Sequence, residues 1–451
     1  MNIPIVIAAY NRENTLFRLL LSIAKANYVT PVKLIISIDG GGSENVKIVA
    51  RKFEWEFGPK EIIEHSENFG LRRHILLCGG LSKLYDGIIL LEDDLYVSPW
   101  FYQYASAALK FYQYCSSICG ISLYSYRYNE TSMLPFIPLN DASNTFFMQV
   151  PCSWGQAWLK EHWDCFAKWY ISNNDNFSDD VMLPGNIAFW PETSWKKYFF
   201  KYMIEKDLYF VYPFWSYTTN FGDKGQHHCG SNLFQVPIVL EKISKLVFKR
   251  FEESLIKYDA WCELLPECLN YLSNGVFNLN FSVDLHGTKR KENLPNEYVL
   301  TAKKSNSCIQ TFGRQMLPVE MNIINKICGN DIYLTAIDQI KDYGNINDSI
   351  FERAIDITTQ QYYYTMESFH HTLLNRALAR NEEQRMEELE RYKKLFERNQ
   401  DLEQENLRRY QLELALRQSI KQLLTSMSWR VTSPLRWVAR KINNIINQKD
   451  N

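Results

Sequence analysis

The chain has 451 residues, 46% of them hydrophobic and 14% aromatic, which is enough apolar material for more than one domain. Its 50 Lys and Arg balance 51 Asp and Glu, a net charge of -1. That excludes a globally basic nucleic-acid binder and leaves any polyanion or membrane contact to a local patch.

The ten cysteines are scattered without a CxxC pair. No stretch reaches the ~18 apolar residues of a membrane span. The N-terminus carries no charged region or cleavage site and enters a strand-like run at once, so it does not read as a signal peptide. A cytosolic chain with reduced thiols is expected.

In chain order, residues 4–9 (PIVIAA) form a short apolar strand. Residues 11–26 follow with helical spacing through Leu16, Leu19, Leu20 and Ile23. A second strand at 32–38 (VKLIISI) ends at Asp39 and three glycines. Ser43 then caps a helix carrying Val46, Ile48, Val49 and Phe53. Ile62 and Ile63 lie in a third strand, residues 71–84 read as a helix, and 87–91 are the fourth strand. The alternation predicts an α/β domain with a mainly parallel sheet covered by helices on both faces.

The fourth strand runs into Glu92, Asp93 and Asp94. Three adjacent carboxylates at the end of a buried segment repel and cost several kcal/mol to desolvate unless something neutralises them. A hard divalent cation, Mn²⁺ or Mg²⁺, would do so, because it takes oxygen ligands and bridges to phosphate oxygens with one or two protein carboxylates. A plain reading as acids favouring the helix start near Ser98 and Pro99 competes. However, ligands in parallel sheets bind beyond the C-terminal strand ends, where residues 10–12, Asp39 and 92–94 all fall.

Residues 116–240 are aromatic-rich and irregular, and a helix is expected near 155–170. Residues 241–361 contain short strand-like runs (FNLNFSVDLHG, NEYVLTAKK, DIYLTAI) and read as a small α+β accessory module. Residues 362–424 lose glycine and proline and predict a long helix. Leu395, Leu402, Leu416 and Leu423 share one heptad position, interrupted by Arg409. Tyr392, Asn399, Asn406 and Ile420 share its companion, interrupted by Glu413. This imperfect seam predicts a coiled coil and a homo-oligomer, against a solvated helix docked on its own domain. The tail, 425–451, sets Trp429, Leu435, Trp437 and Val438 beside Arg430, Arg436, Arg440 and Lys441. That pattern suits an amphipathic membrane-surface anchor, against an ordinary helix packing its Trp side chains on another domain.

The segments PIVIAAYNR, LIISIDGGGSEN and GIILLEDDLYVSPWFYQY, followed by CGISLYSY, VPCSWGQAWLKEHW, SDDVM, the pair Pro191–Glu192 and TNFGDKGQHHCGSN, occur in that order over residues 3–235. Together they resemble the nucleotide-binding domain of GT-A glycosyltransferases, a Rossmann-like nucleotide-diphospho-sugar transferase fold. The likeness is to the N-acetylglucosaminyltransferase I type (family 13-like, or family 2-like), with the GT-A domain over residues 1–240.

The resemblance implies a metal-dependent, inverting transferase using Mn²⁺ (or Mg²⁺) and a nucleotide-sugar donor, UDP-linked by preference. Asp94 would be the metal ligand. Ala8, Tyr10, Arg12 and Asp39 would hold the nucleotide, with Asp39 at the base. Glu92 and Asp93 would lie behind the metal ligand or on the sugar and ribose, and Arg73 (or Arg72) near the diphosphate. Asp179 would be the general base with Asp180 as the fallback, although Ser178 stands where the family has tryptophan. The loop 222–231 would close over the donor, with its His227 and His228 meeting phosphate, against a plain surface turn. Trp154 is the expected sugar-stacking residue, whereas Trp158, Trp163 and Trp169 read as core.

The tail TSMSWRVTSPLRW is similar to the S-W-R-x-T-x-P-L-R segment of bacterial enzymes that build O-antigen or capsule glycans. It implies a lipid-linked glycan acceptor at the inner face of the bacterial cytoplasmic membrane. A sugar-phosphate nucleotidylyltransferase competes, but IAAYNRENT lacks the glycine-rich loop expected after its first strand. A coiled-coil scaffold with a degenerate transferase domain would require loss of acids that are present. No nucleic-acid partner is expected.

Overall fold

A computed structural model describes residues 1–174, 177, 180–223, 232–341, 382–425, 432 and 434–441. The N-terminal alternation runs β1 (Ile5–Ala9), α1 (Glu13–Ala24), β2 (Leu34–Ile38), α2 (Glu44–Lys52), β3 (Lys60–Glu64), α3 (Gly70–Gly80) and β4 (Gly87–Glu92). Strand β1 pairs in parallel with β2 on one side, Ile5 opposite Leu34, and with β4 on the other, Ile5 opposite Ile89; β3 extends the sheet in parallel beyond β2.

The strands are buried on both faces, as apolar runs in a parallel sheet should be. Side-chain alternation divides them. Ile5, Ile7, Leu34, Ile36, Ile89 and Leu91 enter one core with α1 and α2, whereas Val6, Ile35, Ile88 and Leu90 enter another with α3. Each such buried aliphatic side chain contributes about 1.5–3 kcal/mol relative to exposure. The Ser43 hydroxyl caps α2, accepting from the Asn45 amide at 3.2 Å.

Beyond β4 the chain differs from the sequence expectation in two places. A short strand β5 (Leu95–Val97) lies between the acids and helix α4 (Phe101–Tyr112). The helix expected near 155–170 begins only at Lys160, because residues 156–159 are needed as an antiparallel strand in the sheet. After β6 (Ile118–Ser122), a two-residue hairpin β7 (Tyr128–Asn129) and β8 (Leu134–Pro135), and β9 (Thr145–Met148), comes this strand, β10 (Gln156–Leu159), wedged between β4 and β6. Helices α5 (Lys160–Ser172), α6 (Gly185–Ala188) and α7 (Trp195–Glu205) follow, then β11 (Tyr209–Pro213) and β12 (Thr218–Asn220), which pairs with β5. The two-residue strand β13 (Lys257–Tyr258) completes a nine-stranded sheet among the described residues, in the order β13-β9-β11-β6-β10-β4-β1-β2-β3.

The stretch expected as an accessory module supplies β13 and a second sheet. Helix α8 (Pro266–Leu272), β14 (Phe281–Asp284), β15 (Tyr298–Thr301), β16 (Gln310–Phe312), α9 (Glu320–Ile324) and β17 (Ile332–Ala336) form it, with strand order β14-β15-β17-β16. Its Val283, Leu300 and Leu334 belong to the same hydrophobic cluster as Val6 and Trp158 of the large sheet, so the described residues up to Lys341 make one compact unit.

Within that unit Glu320 is 3% exposed, and its Oε2 has no hydrogen-bond partner among the described residues. Burial pushes its carboxyl up to about 7. The folded state therefore holds a proton that the unfolded chain releases near pH 4.5. Between those values stability falls as pH rises, and the full cost is reached above pH 7. Glu320→Gln is expected to raise the melting temperature at pH 8 and leave it unchanged at pH 4; calorimetry at the two pH values checks the sign.

The second unit contains α10 (Glu382–Thr425), a helix of 44 residues. Leu395, Leu402, Leu416 and Ile420 are 56%, 49%, 61% and 47% exposed, so these seam positions are uncovered among the described residues. Glu405–Arg409 and Glu413–Arg417 pair at i,i+4 spacing. No described helix is long and apolar enough to cross a membrane.

Candidate active site

Three parallel strands deliver polar groups to one edge. Strand β1 ends before Tyr10 and Arg12, β2 before Asp39, and β4 in Glu92, followed by Asp93 and Asp94. All of these line a cavity of about 570 Å³, together with Ala8 and Trp154. The turn after β2 is built for close approach. A Cβ on Gly42 would lie 2.1 Å from the Tyr10 carbonyl oxygen, and one on Gly40 would lie 2.4 Å from the Glu67 backbone.

Arg12 answers part of the charge problem posed by the acids. One guanidinium nitrogen donates to Asp93 Oδ1, and Nη1 donates to Asp94 Oδ2 at 2.9 Å. The Tyr10 amide adds a donor to Asp93 Oδ2 at 3.3 Å. Burial disfavours the Arg12 cation, but Asp93 and Asp94 outweigh it and raise its proton affinity. Asp93 is 3% exposed, and desolvation pushes it up to about 6 despite Arg12. Glu92 makes no hydrogen bond to another described side chain. Desolvation, then repulsion from Asp94, pushes it up to about 8. Arg12, with a weaker attraction from Lys196, offsets only part of the charge these acids would carry.

Asp39 has a structural task as well as a place in the cavity. Its Oδ1 accepts from the Gly40 and Phe69 amides at 3.0 and 2.9 Å, and its Oδ2 accepts from Gly70 at 3.0 Å. It thus ties the turn after β2 to the first turn of α3, whose exposed amides favour a carboxylate.

Trp154 is held among Tyr124, Tyr126 and Phe234, with ring centroids 4.8, 5.6 and 4.8 Å away. Trp158 and Trp163 are fully packed in the core, and the Trp169 indole donates to Glu205 Oε2 at 2.8 Å.

Other expected residues lie elsewhere. Asp180 does not line the cavity. Burial opposes its ionisation, but Lys201, 2.9 Å away on α7, outweighs burial and holds it below its ordinary range. The Arg73 guanidinium sits 4.3 Å over the Phe69 ring and also does not line the cavity, while Arg72 donates to the Tyr198 hydroxyl at 2.6 Å. Asp179, His227 and His228 fall outside the described residues.

Several lining residues were not anticipated. Asn68, which donates to the Tyr10 hydroxyl at 2.8 Å, follows β3, and the strand-end rule could have found it. His74 is hidden inside α3; its Nε2 lies 2.8 Å from Ser37 Oγ, and burial lowers it to about 4. Asn220 and Phe234 arrive from more than 120 residues downstream of β4, as does Asp223, which lies in the stretch 222–231 expected over the donor. Arg18 pairs with Asp223 and lies 3.8 Å over Phe221, a contact no local pattern announces.

The donor set suits a hard cation that keeps part of its shell for water and phosphate. Asp94 commits Oδ2 to Arg12, and its Oδ1 has no hydrogen bond among the described residues. No three His, Cys, Asp or Glu among the described residues form a closed metal cluster. One or two carboxylates are what Mn²⁺ or Mg²⁺ needs beside a diphosphate.

No family model and no curated protein matches the chain. Among solved structures, it is similar to the mannosyltransferase PcManGT from Pyrobaculum calidifontis in complex with GDP-Man and Mn²⁺ (10% identity, TM-score 0.28, covering 42% of this chain and 50% of that one). It is also similar to S. aureus TarS in complex with UDP-GlcNAc (12%, 0.33, 50% and 60%) and to GalNAc-T7 with UDP, GalNAc and Mn²⁺ (13%, 0.34, 47% and 42%). The matched part thus spans about half the length of those chains.

Proposed function

We propose that the chain is a metal-dependent, inverting glycosyltransferase that moves a sugar from a nucleotide-diphosphate donor, UDP-linked by preference, to a glycan acceptor. The observation that carries this reading is the acid triplet, bridged by Arg12, in a cavity beyond the ends of three parallel strands. The resemblance over residues 3–235 supports it.

Asp94 would hold Mn²⁺ or Mg²⁺ with Glu92 close by, and the bound ion would stabilise negative charge on the leaving diphosphate. Tyr10, Asn68 and the turn fastened by Asp39 would frame the nucleotide. The acceptor oxygen forms its bond to the anomeric carbon as the bond to the diphosphate oxygen breaks, and the acceptor proton passes to a carboxylate. Asp179 is proposed as that base. Asp180, held ionised by Lys201, is less basic and less suited to the task. Hydrolysis of a panel of UDP-, GDP- and dTDP-sugars tests the reading: Mn²⁺-dependent release from at least one is expected, and none from any would refute it.

The exposed seam of α10 supports self-association as a coiled coil, and Leu435, Trp437, Arg436, Arg440 and Lys441 support docking of the tail on an anionic membrane surface. Both fit a lipid-linked acceptor in bacterial O-antigen or capsule synthesis at the cytoplasmic membrane face. Truncation after Leu424 is expected to abolish flotation with anionic liposomes; unchanged flotation would refute the anchor.

A further inference from the structure

A second groove, of about 390 Å³, shares Leu71, Glu92 and Trp154 with the first cavity and adds Glu130, Trp190 and Lys196. Lys196 is 7% exposed. Its ammonium makes one hydrogen bond among the described residues, to the Tyr126 hydroxyl at 2.8 Å, so two of its three donors have no partner among them. The nitrogen lies 5.4 Å from the Trp154 ring and 5.2 Å from that of Trp190. Neither the Glu92 nor the Glu130 carboxyl group has a hydrogen-bond partner among the described residues. Trp154 is fixed by three neighbouring rings, whereas Trp190 makes one edge contact, with Phe200.

A counter-ion role for Lys196 would account for Glu92 but leaves Glu130 and Trp190 lining the groove without a purpose. Unpartnered acceptors, spare N–H donors and indole surface together match one ligand class. Carboxylates accept from hydroxyls, the ammonium donates to hydroxyl or ring oxygens, and an aromatic surface covers the apolar face of a ring. The groove holds two carboxyl groups and one ammonium, so Lys196 is already balanced by Glu130 and no cation is in surplus for an anionic substituent. An anion brought in without a partner cation costs several kcal/mol to desolvate.

We infer that this groove is the acceptor subsite and takes an uncharged pyranose ring. The inference rests on the transferase reading. The wall shared through Glu92 and Trp154 would set a hydroxyl of that ring against the donor cavity.

Saturation-transfer NMR on the full chain with UDP and Mn²⁺ tests it. The probes are the methyl glycosides of glucose, galactose, mannose and N-acetylglucosamine, with methyl glucuronide as the anionic comparison. Saturation transfer to at least one neutral glycoside is expected, with affinity weakened about tenfold by Trp190→Ala and UDP affinity held within about twofold. Should that variant fail to fold, Glu130→Gln, at a partly exposed position, is expected to give the same result. No saturation transfer to any neutral glycoside, a preference for the glucuronide, or unchanged affinity in the folded variant overturns the subsite. Failure of UDP to bind the wild-type chain overturns the transferase reading instead, and is measured separately.

Discussion

Replacing Asp94 with alanine is expected to lower metal-dependent donor turnover on the order of a hundredfold or more, with little change in fold. The side chain is 26% exposed, and its one ion pair among the described residues is to Arg12, which keeps Asp93. Loss of such a pair costs about 1 kcal/mol or less. The large effect is therefore on chemistry, because the proposed ligand is removed where charge develops on the leaving group. Steady-state hydrolysis across a Mn²⁺ titration should show the fall in kcat and a loss of metal dependence. An Asp94→Ala enzyme that kept full activity would remove Asp94 from the metal site.

Asp39→Ala should act in the opposite order, on stability first. The substitution strands the Gly40, Phe69 and Gly70 amides at a position 4% exposed. An orphaned buried donor costs about 1–3 kcal/mol, and water entering the new space would recover part of that, so a net loss of about 3 kcal/mol is expected. For a cooperative unit of this size, with an unfolding entropy of about 2.1 cal/mol/K per residue, thermal unfolding should fall by roughly 4 °C. Nucleotide affinity should fall with it, because the same turn frames Tyr10. A variant with unchanged melting temperature but weakened nucleotide binding would make Asp39 a ligand contact alone.

The parts of the fold legible in the sequence were those written locally. PIVIAA, LIISI and GIILLE are uninterrupted apolar runs because both faces of a parallel sheet are covered, and Ser43 announces α2 by its own chemistry. The polar residues after each strand mark the ligand edge for the same reason. Residues 156–159 were misread as helix because a four-residue strand buried on both faces has no alternation to betray it. Its antiparallel place between β4 and β6 is a tertiary fact.

The site divides in the same way. Tyr10, Arg12, Asp39 and the acid triplet sit at strand ends and could be read. Arg18 with Asp223, the Phe234 wall and the Lys201 partner of Asp180 come from contacts spanning 21 to 205 residues, which no window of sequence contains. The pairing of Arg12 with Asp93 and Asp94 was equally hidden. Sequence placed all three at one edge but gave Arg12 to the nucleotide alone.

The melting temperature of the full chain with UDP alone, Mn²⁺ alone and both together tests the central claim most directly. A ligand that binds only the folded state stabilises it by mass action, about 2.7 kcal/mol at a hundredfold excess over Kd. If the acid triplet and a bound diphosphate share one ion, the two together should raise the melting temperature by more than the sum of their separate shifts, and Asp94→Ala should abolish the excess. Separate shifts that merely add, or no shift at all, would contradict a shared metal–nucleotide site in this cavity.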